Sequence, residues 1–313
     1  MSKRCELTGI SPLKGHNVSH AKNISIRWLF TNFKKVNFSS YILKKDINLN
    51  DFIPNQTKAK IIKFVDDNLV VLIKNQFIND YKLKEFSNFF GELDPPGPNP
   101  YGINFLPEHP EINVISNVKT SMGIPIGNLG DGEATWHADM TYLKQPPKYG
   151  ILYAVEVPKN QGNTHFANMY KAYDKLPHNL KKIIDDKIII HDSSHNSAGM
   201  LRKGFKKVSR PDLTPGARHP AVITNPQNNK KRLFLGRRPN AYILGLKINE
   251  SEKLLNDIWY HATTEEVTWT QNWEVGDLLI WKNLYVLHKR DAFDPNSRRI
   301  MHRTQIKGND NLN

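Results

Sequence analysis

Between residues 112 and 307 the chain is a succession of short apolar runs, with turn-forming residues between them. Nine of these runs are six to ten residues long: INVISN (112–117), YGILYAVEVP (149–158), NTHFANM (163–169), KIIIHDS (187–193), PAVITN (220–225), KRLFLG (231–236), EVTWTQ (266–271), DLLIWKN (277–283) and RRIMHRTQIK (298–307). Their length and their β-branched and aromatic residues predict strands. So many strands with so few helices must double up or close to hide their edges. The pattern therefore predicts a mainly β fold with flanking helices, built on a jelly-roll or related barrel.

Few helices interrupt this. Residues 55–68 read as a helix, followed by a buried strand at 69–75. Residues 80–93 place Leu83, Phe86, Phe89 and Phe90 on one helical face. The prolines of DPPGPNP (94–100) make that stretch a loop. Two further helices are predicted over about 169–184 and 249–263, the second opening with Asn249 and Glu252 at capping-box spacing.

Composition narrows the class. With 14 Phe, 11 Tyr and 6 Trp in 313 residues the chain can bury a large core. No apolar stretch approaches the roughly 18–20 residues that span a bilayer, and the first residues lack a signal-peptide pattern. A single cysteine, Cys5, excludes an internal disulfide and a cysteine-based zinc cluster. A cytoplasmic protein with no membrane partner is expected. The net charge is +14, and residues 1–45 carry nine Lys/Arg against Glu6 alone. Such an arm could hold RNA through phosphate contacts, or be an ordinary solvated extension.

TWHADMTY (135–142) raises the question of chemistry. On a strand, His137 and Asp139 at i and i+2 share a face and could reach one ion. Alone, the pair reads more readily as polar residues at a strand end. A third candidate is His288, after the apolar strand that enters through Gly276-Asp277. Two histidines and a carboxylate suit Fe(II) with positions left open for substrates. Arg299 follows 11 residues later, and successive antiparallel strands would return it beside His288. An inward arginine there needs an anionic partner.

Residues from about 55 to 308 resemble the taurine dioxygenase and chlorophenoxyacetate dioxygenase (TauD/TfdA) family of Fe(II)/2-oxoglutarate-dependent oxygenases. The likeness rests on WHADMTYLKQPPKYGILYAVEVP, GNTHFANMYKAYDKLP, HPAVITNP, GDLLIWKN and HKRDAFDPNSRRIMHRTQIKG, in the family's order and spacing. It implies a double-stranded β-helix (jelly-roll, cupin-like) core and a catalytic domain over 46–313, behind a basic extension at 1–45. It implies Fe(II), 2-oxoglutarate and dioxygen as cofactors, with succinate and CO2 released. His137, Asp139 and His288 match the metal triad, and Arg299 matches the arginine on the far carboxylate of 2-oxoglutarate. Thr164 matches a threonine beside that carboxylate. Arg303 matches a second arginine near the cosubstrate or an acidic substrate group. Read from the residues alone, Thr164 could be an ordinary strand residue and Arg303 a surface arginine.

Trp281-Lys282-Asn283-Leu284 departs from the family, which often has aspartate after the tryptophan, then Asn-Arg. A hydrogen bond behind the metal is thereby put in question. The substrate implied is a small anion: a carboxylate, sulfonate or sulfate ester. Arg202, Lys203, Lys206, Lys207 and Arg210 in LRKGFKKVSR (201–210) could steer it, or form a solvated loop. His191 and His195 could line the pocket or be structural. A homo-oligomer is compatible with the sequence.

Residues 1–36 resemble the start of the bacterial large-subunit ribosomal protein numbered twenty-eight, in RCELTG, GHNVSHA and the N-x-K-K-V ending. A fused RNA-binding arm, a remnant without ribosomal role and a gene-boundary error all remain open. The rival function is a ribosome-associated or RNA-binding protein with a catalytically silent barrel. The intact triad and Arg299 argue against it.

Overall fold

A computed structural model of the chain describes residues 33–36, 40–43, 47–226 and 228–308. The readings made on residues 1–32 lie outside the described residues. The strands are β1 Phe33–Val36, β2 Ser40–Leu43, β3 Val70–Ile73, β4 Asn113–Ser116, β5 Asn128–Leu129, β6 Ala134–His137, β7 Tyr149–Glu156, β8 Thr164–Asn168, β9 Ile188–Ile190, β10 Arg218–Pro220, β11 Val222–Thr224, β12 Lys231–Leu233, β13 Tyr242–Ile243, β14 Thr268–Gln271, β15 Leu278–Lys282, β16 Val286–Arg290 and β17 Ile300–Ile306. The helices are α1 Asn55–Asn68, α2 Asp80–Ser87, α3 Met169–Lys175, α4 His178–Ile184 and α5 Ile248–Ala262.

Two sheets carry the jelly-roll core. The larger runs β1-β2-β3-β15-β7-β17-β4-β5, and the smaller runs β14-β8-β16-β6. Side-chain alternation divides each strand between two cores. On β15, Leu278 and Ile280 pack against α1 and α2 through Phe64, Val65, Leu83 and Phe86. Leu279 and Trp281 point the other way, into a layer with Leu152, Phe166, Val286 and Met301 that joins the two sheets. On the far side of the smaller sheet, Ala167 and Leu287 pack against α3 and α5 through Ala172, Leu255 and Ile258. Trp281 is 1% exposed. It fills the space that Gly150 leaves on β7, where a Cβ would lie 2.2 Å from Trp281 Cζ2. Replacing Trp281 by alanine would cost about 3–5 kcal/mol.

Strand β2 pairs in parallel with β3, so part of the basic segment 1–45 continues the larger sheet. Among the described residues no helix is long and apolar enough to cross a membrane.

Several local expectations are corrected. The helix predicted over 80–93 ends at Ser87, although Phe89 and Phe90 still pack edge-on against Phe86. The helix predicted over 169–184 is two, because Pro177 disfavours helical backbone at Leu176. Helix α5 starts earlier than Asn249: Glu250 Oε2 accepts from Lys247 N at 3.2 Å, while Glu252 pairs with Arg238. Finally, β16 and β17 are not neighbours. They lie in different sheets, so Arg299 meets His288 across the sandwich and not along one sheet.

Candidate active site

His137 ends β6 and His288 is the middle residue of β16; the two are Cα partners in the smaller sheet. Their rings stand 4.1 Å apart. Asp139 lies two residues past His137, but β6 has already ended and Asp139 sits in a turn. Strand pleating therefore does not aim its carboxylate. Asn283 does: its Oδ1 accepts from Asp139 N at 2.8 Å, and its Nδ2 donates to the carbonyls of Asp139 and Pro147, each at 2.8 Å. This buried clamp was missed in the sequence, although an asparagine closing an apolar strand was a visible signal. The two departing neighbours face elsewhere. Lys282 pairs with Asp66 at 3.1 Å, and Leu284 packs against Phe234.

His137, Asp139 and His288 each offer a ligand atom, and these atoms lie within 4.8 Å of one another. All three residues are buried. His137 Nδ1 lies 2.7 Å from the carbonyl of Thr135, to which it donates, and its Nε2 is turned toward Asp139, 3.6 Å away. Burial, with His137 alongside, holds His288 well below its ordinary range, so its ring is a neutral imidazole. Burial alone would raise the Asp139 carboxyl. Arg303, His288 and His137 overcome that and hold it well below the usual carboxylate range. Arg303 Nη1 donates to Asp139 Oδ1 at 2.8 Å, while Oδ2 has no hydrogen-bond partner among the described residues and lies 3.8 Å from His288 Nε2.

Two hollows meet at this cluster. The inner chamber is walled by Ile115, Leu152, Phe166 and Trp281, and Thr164, Arg290, Arg299 and Arg303 also reach it. Trp273 Nε1 donates to Thr164 Oγ1 at 2.9 Å, so the threonine proton is left for another acceptor. Arg299 is 2% exposed. Burial and the nearby Arg290 push it down to about 9. Burial pushes Arg290 to about 10, with Asp131 acting the other way.

The outer pocket contains Tyr142, Asp192, His195, Arg202 and Arg237 beside His137, Asp139 and Arg303. Arg237 pairs with Asp192, which also accepts from Asn240 at 2.9 Å. Arg202 stacks on the Tyr142 ring at 4.1 Å and donates to the carbonyl of Ser193 at 2.7 Å. Of the basic loop 201–210, Arg202 reaches this pocket; Lys203, Lys206, Lys207 and Arg210 are exposed. His195 lines the pocket. His191 does not: it is buried against His219 and Phe234.

The family model described as "Taurine catabolism dioxygenase TauD, TfdA family" matches residues 34–305. The chain belongs to the TauD/TfdA family. Among its relatives, the alpha-ketoglutarate-dependent 2,4-dichlorophenoxyacetate dioxygenase of Cupriavidus pinatubonensis is 28% identical, over 83% of this chain and 91% of that one. The (S)-phenoxypropionate/alpha-ketoglutarate-dioxygenase of Sphingobium herbicidovorans is 31% identical over 65% of this chain and 75% of that one. A crystal structure of a taurine dioxygenase from Burkholderia xenovorans superposes with a TM-score of 0.67 at 26% identity, covering 86% of this chain and 88% of that chain. The Ribosomal L28 family matches residues 3–50.

As a TauD/TfdA dioxygenase the protein uses Fe(II), 2-oxoglutarate and dioxygen. The residues present fit that set. Two imidazoles gather around a buried carboxylate whose Oδ2 has no hydrogen-bond partner among the described residues, which is a donor set for Fe(II). No carboxylate lies within ion-pair distance of Arg299 among the described residues, and its Nε has no partner there. A bound carboxylate would supply what that guanidinium lacks.

Proposed function

We propose that His137, Asp139 and His288 hold Fe(II), and that Arg299 and Thr164 bind the far carboxylate of 2-oxoglutarate, for oxidation of a C–H bond in a small organic anion. Bound there, Fe(II) with 2-oxoglutarate and dioxygen supplies an oxidative decarboxylation that yields succinate and CO2 and drives the hydroxylation. The protein contributes position, charge and dryness. Asn283 fixes the backbone of Asp139, so its carboxylate need not be ordered at the moment of binding. Arg303 keeps Asp139 ionised. Phe166, Trp281 and Leu152 exclude water from the inner chamber, which strengthens each charge-assisted contact made there.

The substrate enters the outer pocket. With Arg237 committed to Asp192 and Arg303 to Asp139, Arg202 is the guanidinium left to anchor an anionic group. Relatives named for aryloxyacetates, sulfate esters and sulfonates support a carboxylate, sulfonate or sulfate ester. The catalytic domain is proposed to span 46–313 behind the basic extension 1–45, whose strands β1 and β2 add to the edge of its larger sheet, and a single cysteine supports a cytoplasmic site of action. RNA binding through residues 1–45 draws only on the match at residues 3–50.

The observation that carries this reading is a buried Asp139 Oδ2 without a hydrogen-bond partner, whose residue gathers with His137 and His288 so that ligand atoms lie within 4.8 Å of one another. The test is succinate release by mass spectrometry, from protein reconstituted anaerobically with Fe(II) and then given 2-oxoglutarate, dioxygen and a panel of those anions. His137→Ala should abolish succinate formation. Continued 2-oxoglutarate turnover by that variant refutes the assignment.

A further inference from the structure

Arg290 has no role in the reading above, yet the sheet places it beside the residues that do. On β16 it is the next inward position after His288. His288 has His137 on β6 and Phe166 on β8 as its Cα partners; Arg290 has Ala134 and Thr164. An irregularity in the β6–β16 register makes up the odd spacing between Ala134 and His137. The smaller sheet thus carries two adjacent rungs, one with both histidines and one with Arg290 opposite Thr164. Ala134, on the other side of Arg290, is too small to fill the space above that rung. All of these side chains line the inner chamber, and Arg299 enters it from the opposite sheet.

The two guanidiniums also share a neighbour. The Phe293 ring centre lies 5.3 Å from Arg290 Cζ and 6.0 Å from Arg299 Cζ. Arg290 Nη2 donates to the carbonyls of Leu129 and Gly132, but Nε and Nη1 have no partner among the described residues. Neither arginine has a carboxylate within 4.0 Å among the described residues; Asp131 lies close enough to favour the charge of Arg290, and Arg299 has no such neighbour. Two such cations around one dry chamber are costly unless an anion completes them.

We propose that Arg290 is a second guanidinium for the far carboxylate of 2-oxoglutarate, which Arg290, Arg299 and the Thr164 hydroxyl bind together. This rests on the cosubstrate reading above. It makes the chamber selective for a dianion over a keto acid that lacks the far carboxylate.

Calorimetric titration of Mn(II)-loaded full-length protein, which binds without turning over, tests this with two probes. 2-Oxoglutarate carries the far carboxylate, and 2-oxobutanoate keeps only the keto-acid end. Arg290→Met should weaken 2-oxoglutarate by about 10–100-fold and leave 2-oxobutanoate within about twofold. Arg290→Lys, which keeps the charge without the fork, should recover part of the loss and serves if the methionine variant does not fold. Equal weakening of both probes would mean that Arg290 only holds the carbonyls of Leu129 and Gly132, and overturns the proposal. So does an unchanged 2-oxoglutarate affinity in a wild-type background that binds it. Failure of the wild-type protein to bind 2-oxoglutarate would instead remove the cosubstrate reading itself, and this proposal with it.

Discussion

The two hollows that meet at Asp139 treat charge in opposite ways. In the inner chamber Arg290 and Arg299 are buried among apolar walls with no carboxylate in hydrogen-bond contact among the described residues, and Asp131 only partly offsets the burial of Arg290. In the outer pocket Asp192 takes Arg237, and hydrogen bonds from Ser194 and Asn240 complete it. Arg202 alone is spare, and it is stacked on an aromatic ring. A chamber whose cations are left incomplete is built around one ligand of fixed charge. A pocket whose charges are mostly satisfied constrains its ligand at one point and leaves the rest to shape. That division suits an enzyme with an invariant cosubstrate and a substrate that differs between relatives.

The largest effect expected from this contrast is at Arg299. Arg299→Ala should weaken 2-oxoglutarate by roughly 100-fold, because the ligand loses a charge-assisted fork in a site that water cannot repair. Affinity measured by calorimetry with Mn(II)-loaded protein reads this directly. A loss below about threefold would break the contrast, since the inner chamber would then not depend on its cations. An intermediate effect is expected at Arg202. Arg202→Gln should raise KM about tenfold for whichever anion the substrate panel identifies, with kcat and 2-oxoglutarate affinity unchanged. A change in 2-oxoglutarate affinity instead would mean that the two hollows are not separable.

Residue types, together with the family resemblance, single out His137, Asp139, His288 and Arg299 as one candidate group; the structure puts ligand atoms of the first three within 4.8 Å of one another and Arg299 on the chamber that the histidines border. The strands announced themselves by length and composition. What escaped depends on which strands face one another. Asn283 and Asp139 are 144 positions apart, and only the docking of the turn after β6 onto the end of β15 brings them together. Arg290 carries no signal of its own within HKRDAF; the pairing of β16 with β8 is what puts it opposite Thr164. The reason given for Asp139 was also incomplete: the i, i+2 spacing was right, but a turn held by Asn283 aims the carboxylate, not the strand. Likewise Arg299 reaches the histidine across two sheets, a placement that consecutive strands in the sequence do not suggest.

The smallest effect is expected at Lys282, and it tests whether a departure from the family's usual sequence matters. Lys282 follows Trp281 on β15, so its side chain leaves the sheet on the face opposite the inner chamber. There it pairs with Asp66 at 3.1 Å and lies over the Tyr285 ring at 4.3 Å. Asp66 is 40% exposed, so solvent screens the pair and its removal should cost under about 1 kcal/mol. Lys282→Ala should therefore lower the melting temperature by a few degrees at most, and leave the affinity for 2-oxoglutarate within about twofold. Asn283, one residue on, holds the backbone of Asp139 through two hydrogen bonds and that of Pro147 through a third. If Lys282→Ala instead weakened metal or cosubstrate binding, the clamp would have to extend through the backbone of β15, and the two faces of that strand would not be independent.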